Sequence, residues 1–136
     1  MAKFKLYKAG ANYKTESIEK ASATVIAAGD LVALDGSDLA ILATATSTKV
    51  AFAPNGAGAG DLNIEVTVGD DFLLKGTANV VYAESYRGDV CDILSTTQQI
   101  DIATSSTNVL QVDASEDAGV VASASNVVVK INKPII

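Results

Sequence analysis

The second half of the chain alternates. From Tyr86 to Asn132 four short runs, YRGDVCDI, QQIDIA, TNVLQVD and NVVVKIN, are separated by Ser, Thr, Asp and Gly. In the last run Val127, Val129 and Ile131 fall on one face, Val128 and Lys130 on the other. Successive side chains of a strand point to opposite faces, so a period of two with one apolar face marks a strand laid on a core. Runs this short, punctuated this often, restrict the chain to antiparallel strands joined by tight turns. The final run is placed to close a sheet or barrel.

The same grammar extends upstream. Asp35-Gly36 sits inside LVALDGSDLAIL, apolar on both sides, and predicts a hairpin. KVAFAP is a short strand stopped by Pro54, and Asn55 to Gly60 (NGAGAG) reads as a flexible loop. In DLNIEVTV, Leu62, Ile64, Val66 and Val68 point one way while Asp61, Asn63, Glu65 and Thr67 point the other, as in a half-solvated strand. FLLK and ANVVYA follow as further strands. Residues 15–28 fit either a short helical stripe (Ile18, Ala21, Val25, Ala28) or, in ATVIAA, a strand ended by Gly29-Asp30; the turn favours the strand. Gly-Asp recurs at 29–30, 60–61, 69–70 and 88–89, each time before an apolar run. These signals predict an all-β fold: a single compact antiparallel β-sandwich or barrel of some ten strands over residues 21–136, with an extended N-terminal arm over residues 1–20.

Charge separates the two parts. Residues 1–20 hold Lys3, Lys5, Lys8, Lys14 and Lys20 against Glu16 and Glu19, whereas residues 21–129 hold three basic residues against fourteen acids. An acidic body repels nucleic acid, so no nucleic-acid partner is expected. No apolar stretch reaches membrane-spanning length, and MAKFKLYKAG lacks the apolar centre of a secretory signal, so synthesis and folding in a reducing cytoplasm are expected. In the arm Phe4, Leu6, Tyr7 and Tyr13 interleave with Lys3, Lys5, Lys8 and Lys14, a mixture suited to docking on an acidic or apolar protein surface, including that of a neighbouring copy. Removal of residues 2–14 is expected to leave the body folded. With apolar residues at 49% but aromatics at 5%, the core is expected to be built of small and β-branched side chains. Charged residues are only 19%, which is lean for a solvated monomer and points to surface covered by partners.

Catalytic chemistry finds no constellation. There is no His, which removes the usual imidazole base, and Cys91 is alone, so no intrachain disulfide forms. Cys91 alternates with Val90 and Asp92 and reads as a buried thiol. Gly56 to Gly60 lacks the Lys-Ser/Thr and helix of a phosphate loop. Gly69-Asp70-Asp71 matches a polymerase tripeptide, but the chain is too short for that domain. Arg87-Gly88-Asp89 matches an adhesion tripeptide, yet Asp89 leads straight into a strand. The carboxylates Asp89, Asp92, Asp101, Asp113, Glu116 and Asp117 lack the spacing of a calcium loop and read as solvated edges and turns. No enzyme activity, metal or cofactor is expected.

The order YRGDVCDI, QQIDIATSSTNVLQV, NVVVKINKPII, with its closing V-x-V-x-I strand, resembles the C-terminal part of tailed-phage capsid decoration (cement, or auxiliary head) proteins. The likeness covers roughly residues 25–134. The resemblance implies a structural virion protein on the capsid exterior, made in the host cytoplasm. It would bind the major capsid protein as a homotrimer at three-fold and quasi-three-fold positions and stabilise the expanded shell. The capsid-binding residues it implies are those of the arm: Lys3, Phe4, Lys5, Leu6, Tyr7, Lys8, Tyr13 and Lys14. The anchoring base or spike of a head fibre, with an adhesion role, is the alternative.

Overall fold

The computed structural model describes residues 3–115 and 126–136. Eleven strands run through them: β1 (Phe4–Ala9), β2 (Thr15–Glu19), β3 (Leu31–Leu34), β4 (Ala40–Leu42), β5 (Ala51–Phe52), β6 (Asn63–Thr67), β7 (Phe72–Thr77), β8 (Val90–Ile93), β9 (Ile100–Asp101), β10 (Leu110–Ser115) and β11 (Asn126–Ile131). One 3-10 turn, Glu84–Tyr86, is the helical piece among them. The strands form a six-stranded sheet in the order β1-β7-β11-β10-β8-β9, a three-stranded sheet β4-β3-β5 and a pair β2-β6, all antiparallel within the sheets. The fold is all-β, as the alternation predicts.

The main sheet curls far enough to meet itself. Beyond β7, Ala78 bridges Ile100 of β9, and the Asn79 N–H donates to the Ile100 carbonyl at 3.0 Å. The Asn79 side chain adds a bond from Nδ2 to Asp101 Oδ1 at 3.1 Å and accepts the Ile102 N–H at 3.4 Å. The stretch from β7 to β9 therefore closes in the manner of a small barrel, which removes the free edge that β9 would otherwise carry.

The three-stranded sheet is covered on both faces. Leu31, Ala33 and Phe52 join Leu74, Ile93, Leu110, Val129 and Ile131 of the main sheet in one core. Val32, Ala40 and Ala51 pack with Ile26, Ile64 and Val66 in a second. A strand covered on both faces has no use for polar alternation, which is why β3 reads LVAL. Gln98, in the turn between β8 and β9, ties the sheets together. It is 1% exposed. Its Oε1 accepts the Leu31 N–H at 2.8 Å, and its Nε2 donates to the carbonyls of Leu31 and Ala43, both at 2.9 Å.

The first residues do not form a free arm. β1 is the edge strand of the main sheet, paired with β7, and β2 pairs with β6. Phe4 is buried; a Cβ on Gly76 would come within 2.6 Å of its ring, so the missing side chain there is what admits it. The Phe4 N–H donates to the Gly29 carbonyl at 3.0 Å, and Lys3 Nζ stands 3.4 Å from the carboxylate of the buried Asp30. Burying a Phe side chain contributes roughly 2–3 kcal/mol, enough to hold a terminal strand against fraying. Truncation through residue 14 would strip that strand and ring from the core, so it is expected to destabilise the body.

Other expectations change locally. ATVIAA is not a strand: Ala23 takes φ of 61°, and Ile26 alone pairs, exchanging two hydrogen bonds with Ala57. That bridge pins the NGAGAG segment, read as flexible, against residues 26–28. ANVVYA leaves the sheet after Asn79. The 35–38 turn does join β3 to β4, but its left-handed residue is Asp38 (φ 61°) rather than Gly36. Asp35 Oδ1 holds it by accepting the N–H groups of Ser37 and Leu39. In β6, Ile64 and Val66 point inward as expected, while Leu62, beyond the strand end, is 80% exposed. In β11 Val128 is buried although it lies on the opposite face from Val127 and Val129.

Candidate functional site

The eight residues proposed from the sequence are not one site. Phe4 is spent in the core, and Lys3 is paired with Asp30. Tyr13 packs edge-on to Phe72, ring centroids 5.4 Å apart, and burial pushes its hydroxyl pKa up. Lys14 is exposed beyond the turn, its carbonyl accepting the Val68 N–H. That turn is fastened by the Asn12 N–H on Asp71 Oδ2 at 2.7 Å. What remains is a row along β1: Lys5, Leu6, Tyr7 and Lys8, all exposed, with Leu6 at 40% and Tyr7 at 50%.

The row owes its shape to a β-bulge. Register runs Lys5 to Lys75 and Leu6 to Leu74, then skips Tyr7 so that Lys8 faces Leu73. The extra residue turns Tyr7 out of the ladder and bends the strand. Lysines and a bulge on an edge strand discourage backbone pairing with another sheet. The edge therefore offers side chains as its means of contact: Lys5 and Lys8, opposite Lys75 and Leu73, on the outer face with Tyr7 at the bulge between them, and Leu6, opposite the buried Leu74, on the core side of the edge.

A second surface lies at the far end of the β2–β6 pair. A groove of about 570 Å³ is lined by Glu19, Lys20, Leu39, Asp61, Leu62 and neighbouring small residues. Lys20 is 5% exposed and turns its ammonium away into the loop, donating to the carbonyls of Ala21 (3.0 Å) and Thr24 (2.6 Å). The exposed ionic groups of the groove are thus Glu19 and Asp61, beside the protruding Leu62. Sequence reasoning missed this surface because the alternation of DLNIEVTV places Leu62 inward; the turn at Gly58 to Asp61, closed by the Asp61 N–H on the Gly58 carbonyl, ends the strand register first.

The remaining chemical candidates serve the fold. Cys91 is fully buried, and burial, with the charges of Asp92, Asp101 and Asp89, pushes its thiol up to about 12, so it is inert as a nucleophile. The buried carboxylate of Asp92 accepts three consecutive backbone N–H groups, Ser106 (3.1 Å), Thr107 and Asn108 (both 2.9 Å), fixing the loop before β10. Arg87-Gly88-Asp89 is stitched to β10: the Gly88 N–H donates to the Val112 carbonyl, and the Asp89 carbonyl accepts the Val112 N–H. Among the described residues no group of three or more His, Cys, Asp or Glu side chains is placed to hold a metal. Glu116 and Asp117 lie outside the described residues. No protein-family model matches the chain, and neither does any curated protein or solved structure. Its surfaces have to be read from their own chemistry.

Proposed function

We propose that this protein is a structural subunit of a virion: a decoration protein that binds the outside of an icosahedral phage shell as a trimer and stabilises neighbouring major-capsid subunits in the expanded state. The observation that carries the reading is the pair of unlike exposed surfaces on one rigid all-β body. One is the apolar and cationic row on β1; the other is apolar and anionic, at Glu19, Asp61 and Leu62. Exposed large apolar groups framed by charge are the mark of protein contact surfaces, and two on one small domain fit a component that joins others. A closed trimer repeats whatever face it turns to the shell three times, so weak single contacts add through effective concentration. The resemblance in the order of the C-terminal strands supports the same assignment.

The test is co-sedimentation of purified protein with expanded, emptied shells and with unexpanded shells of the host phage. Saturable binding to expanded shells, in multiples of three per icosahedral face, together with a raised temperature of shell disruption, is the expected result. Absence of binding to expanded shells over a concentration range reaching about 100 μM, where contacts stronger than roughly −5.5 kcal/mol would register, would sink the proposal.

A further inference from the structure

The two surfaces are complementary to each other. The β1 edge is cationic at Lys5 and Lys8 with Tyr7 at the bulge between them, and the groove at Glu19, Asp61 and Leu62 is anionic with an apolar rim. They belong to different sheets, β1 to the six-stranded sheet and Glu19 to the β2–β6 pair. We infer that the β1 row of one copy seats in the Glu19–Leu62 groove of a second copy, making a head-to-tail contact between identical chains. This rests on the reading that the protein works as an oligomer and names the surfaces that build it.

The physical case is a matter of what each surface lacks. Among the described residues Lys5 and Lys8 have no acidic partner and Glu19 has no cation, Lys20 being committed to the carbonyls of Ala21 and Thr24. Leu62 at 80% exposure and Tyr7 at 50% have apolar surface left to bury, as does Val25 at 64% outside both patches. Opposite charges at the rim steer the encounter and reject the wrong orientation, row on row or groove on groove, by like-charge repulsion. The contact uses a different patch on each copy, so it repeats from copy to copy until a ring closes. Isologous pairing through the backbone edge of β1 is disfavoured by the same lysines and the bulge at Tyr7.

The test is mass by light scattering and sedimentation velocity across a concentration series, on wild type and two variants whose folding is checked by melting. The row variant is Lys5→Ser/Lys8→Ser; the groove variant is Glu19→Gln/Leu62→Ser, both at exposed side chains. Each alone is expected to lose the oligomer, with association weakened at least tenfold. Mixed in equal amounts, each supplies the surface the other lacks at one junction only, so a dimer and nothing larger is expected to form. High salt is expected to weaken wild-type assembly. A monomeric wild type throughout the series, an oligomer unchanged in either variant, or a mixture that stays monomeric would overturn the inference. Binding of wild type to shells as a monomer would also overturn it, while leaving the shell-binding part of the proposed function standing.

Discussion

Replacing Gln98 tests the claim that one buried amide joins the sheets. In Gln98→Met the volume is nearly kept and three hydrogen bonds disappear. The Leu31 carbonyl keeps the Ala43 N–H at 3.0 Å. The Leu31 N–H and the Ala43 carbonyl lose the partner that the structure gives them, and both lie in the buried region between the sheets. A buried backbone group left without a partner costs about 1–3 kcal/mol, so the variant should lose roughly 2–5 kcal/mol. With a urea slope of about 1.5–2 kcal/mol per molar, a loss of 3 kcal/mol moves the midpoint down by roughly 1.5–2 M. The neighbouring Gln99→Met, which removes no side-chain hydrogen bond, should stay within about 0.5 kcal/mol of the parent. If Gln98→Met unfolds within about 0.3 M of the parent, the amide does not carry the junction and the reasoning fails.

Gly76→Ala should destabilise by about 1–3 kcal/mol through collision with the Phe4 ring. Combined with Phe4→Leu it should cost less than the sum of the two single changes, and additivity in that cycle would show that ring and glycine are not in contact. Cys91 makes stability fall at high pH. Its folded thiol is raised from 9.0 to about 12, so above pH 9 the unfolded chain releases a proton that the folded one keeps, and unfolding becomes easier by up to about 1.4 kcal/mol per pH unit until about pH 12. Tyr13 and Tyr82, also raised by burial, act in the same direction. From pH 8 to 10.5 the parent should therefore lose stability relative to Cys91→Ala, by about 2 kcal/mol at the upper end; a difference that does not change with pH would refute the assignment.

The elements most legible in the sequence were those with one wet face. β11 and the middle of β6 alternate because one side meets the core, and a period of two survives in the text. ATVIAA and ANVVYA carry strand composition without strand pairing. Ile26 and Ala78 are held by single bridges, and what occupies those places is decided by chain segments thirty and twenty residues away. Phe4 could not be told from an anchor, since an apolar residue among lysines looks the same whether its slot lies in its own core or in a partner. The slot is Gly76, whose identity acquires meaning only once β1 and β7 are side by side. The groove at Leu62 was hidden for the opposite reason: a regular alternation ran past the end of the strand that justified it.

The placement of β11 governs the order in which the molecule can assemble. It is hydrogen-bonded to β7 on one side and to β10 on the other, so until it docks, the β1–β7 half of the main sheet and the β8–β9–β10 half have no ladder between them. Among the described residues the latch at Ala78 and Asn79 is what reaches across, and it is too small to align strands. Pairings between residues some fifty to seventy positions apart must form before they are rewarded, which places folding in the millisecond-to-second range. Substitutions along Val127–Val129 should therefore slow folding, whereas those in β1 should speed unfolding. Slowed folding in the Val127–Val129 variants would make β11, the strand that joins two incomplete halves, the folding nucleus.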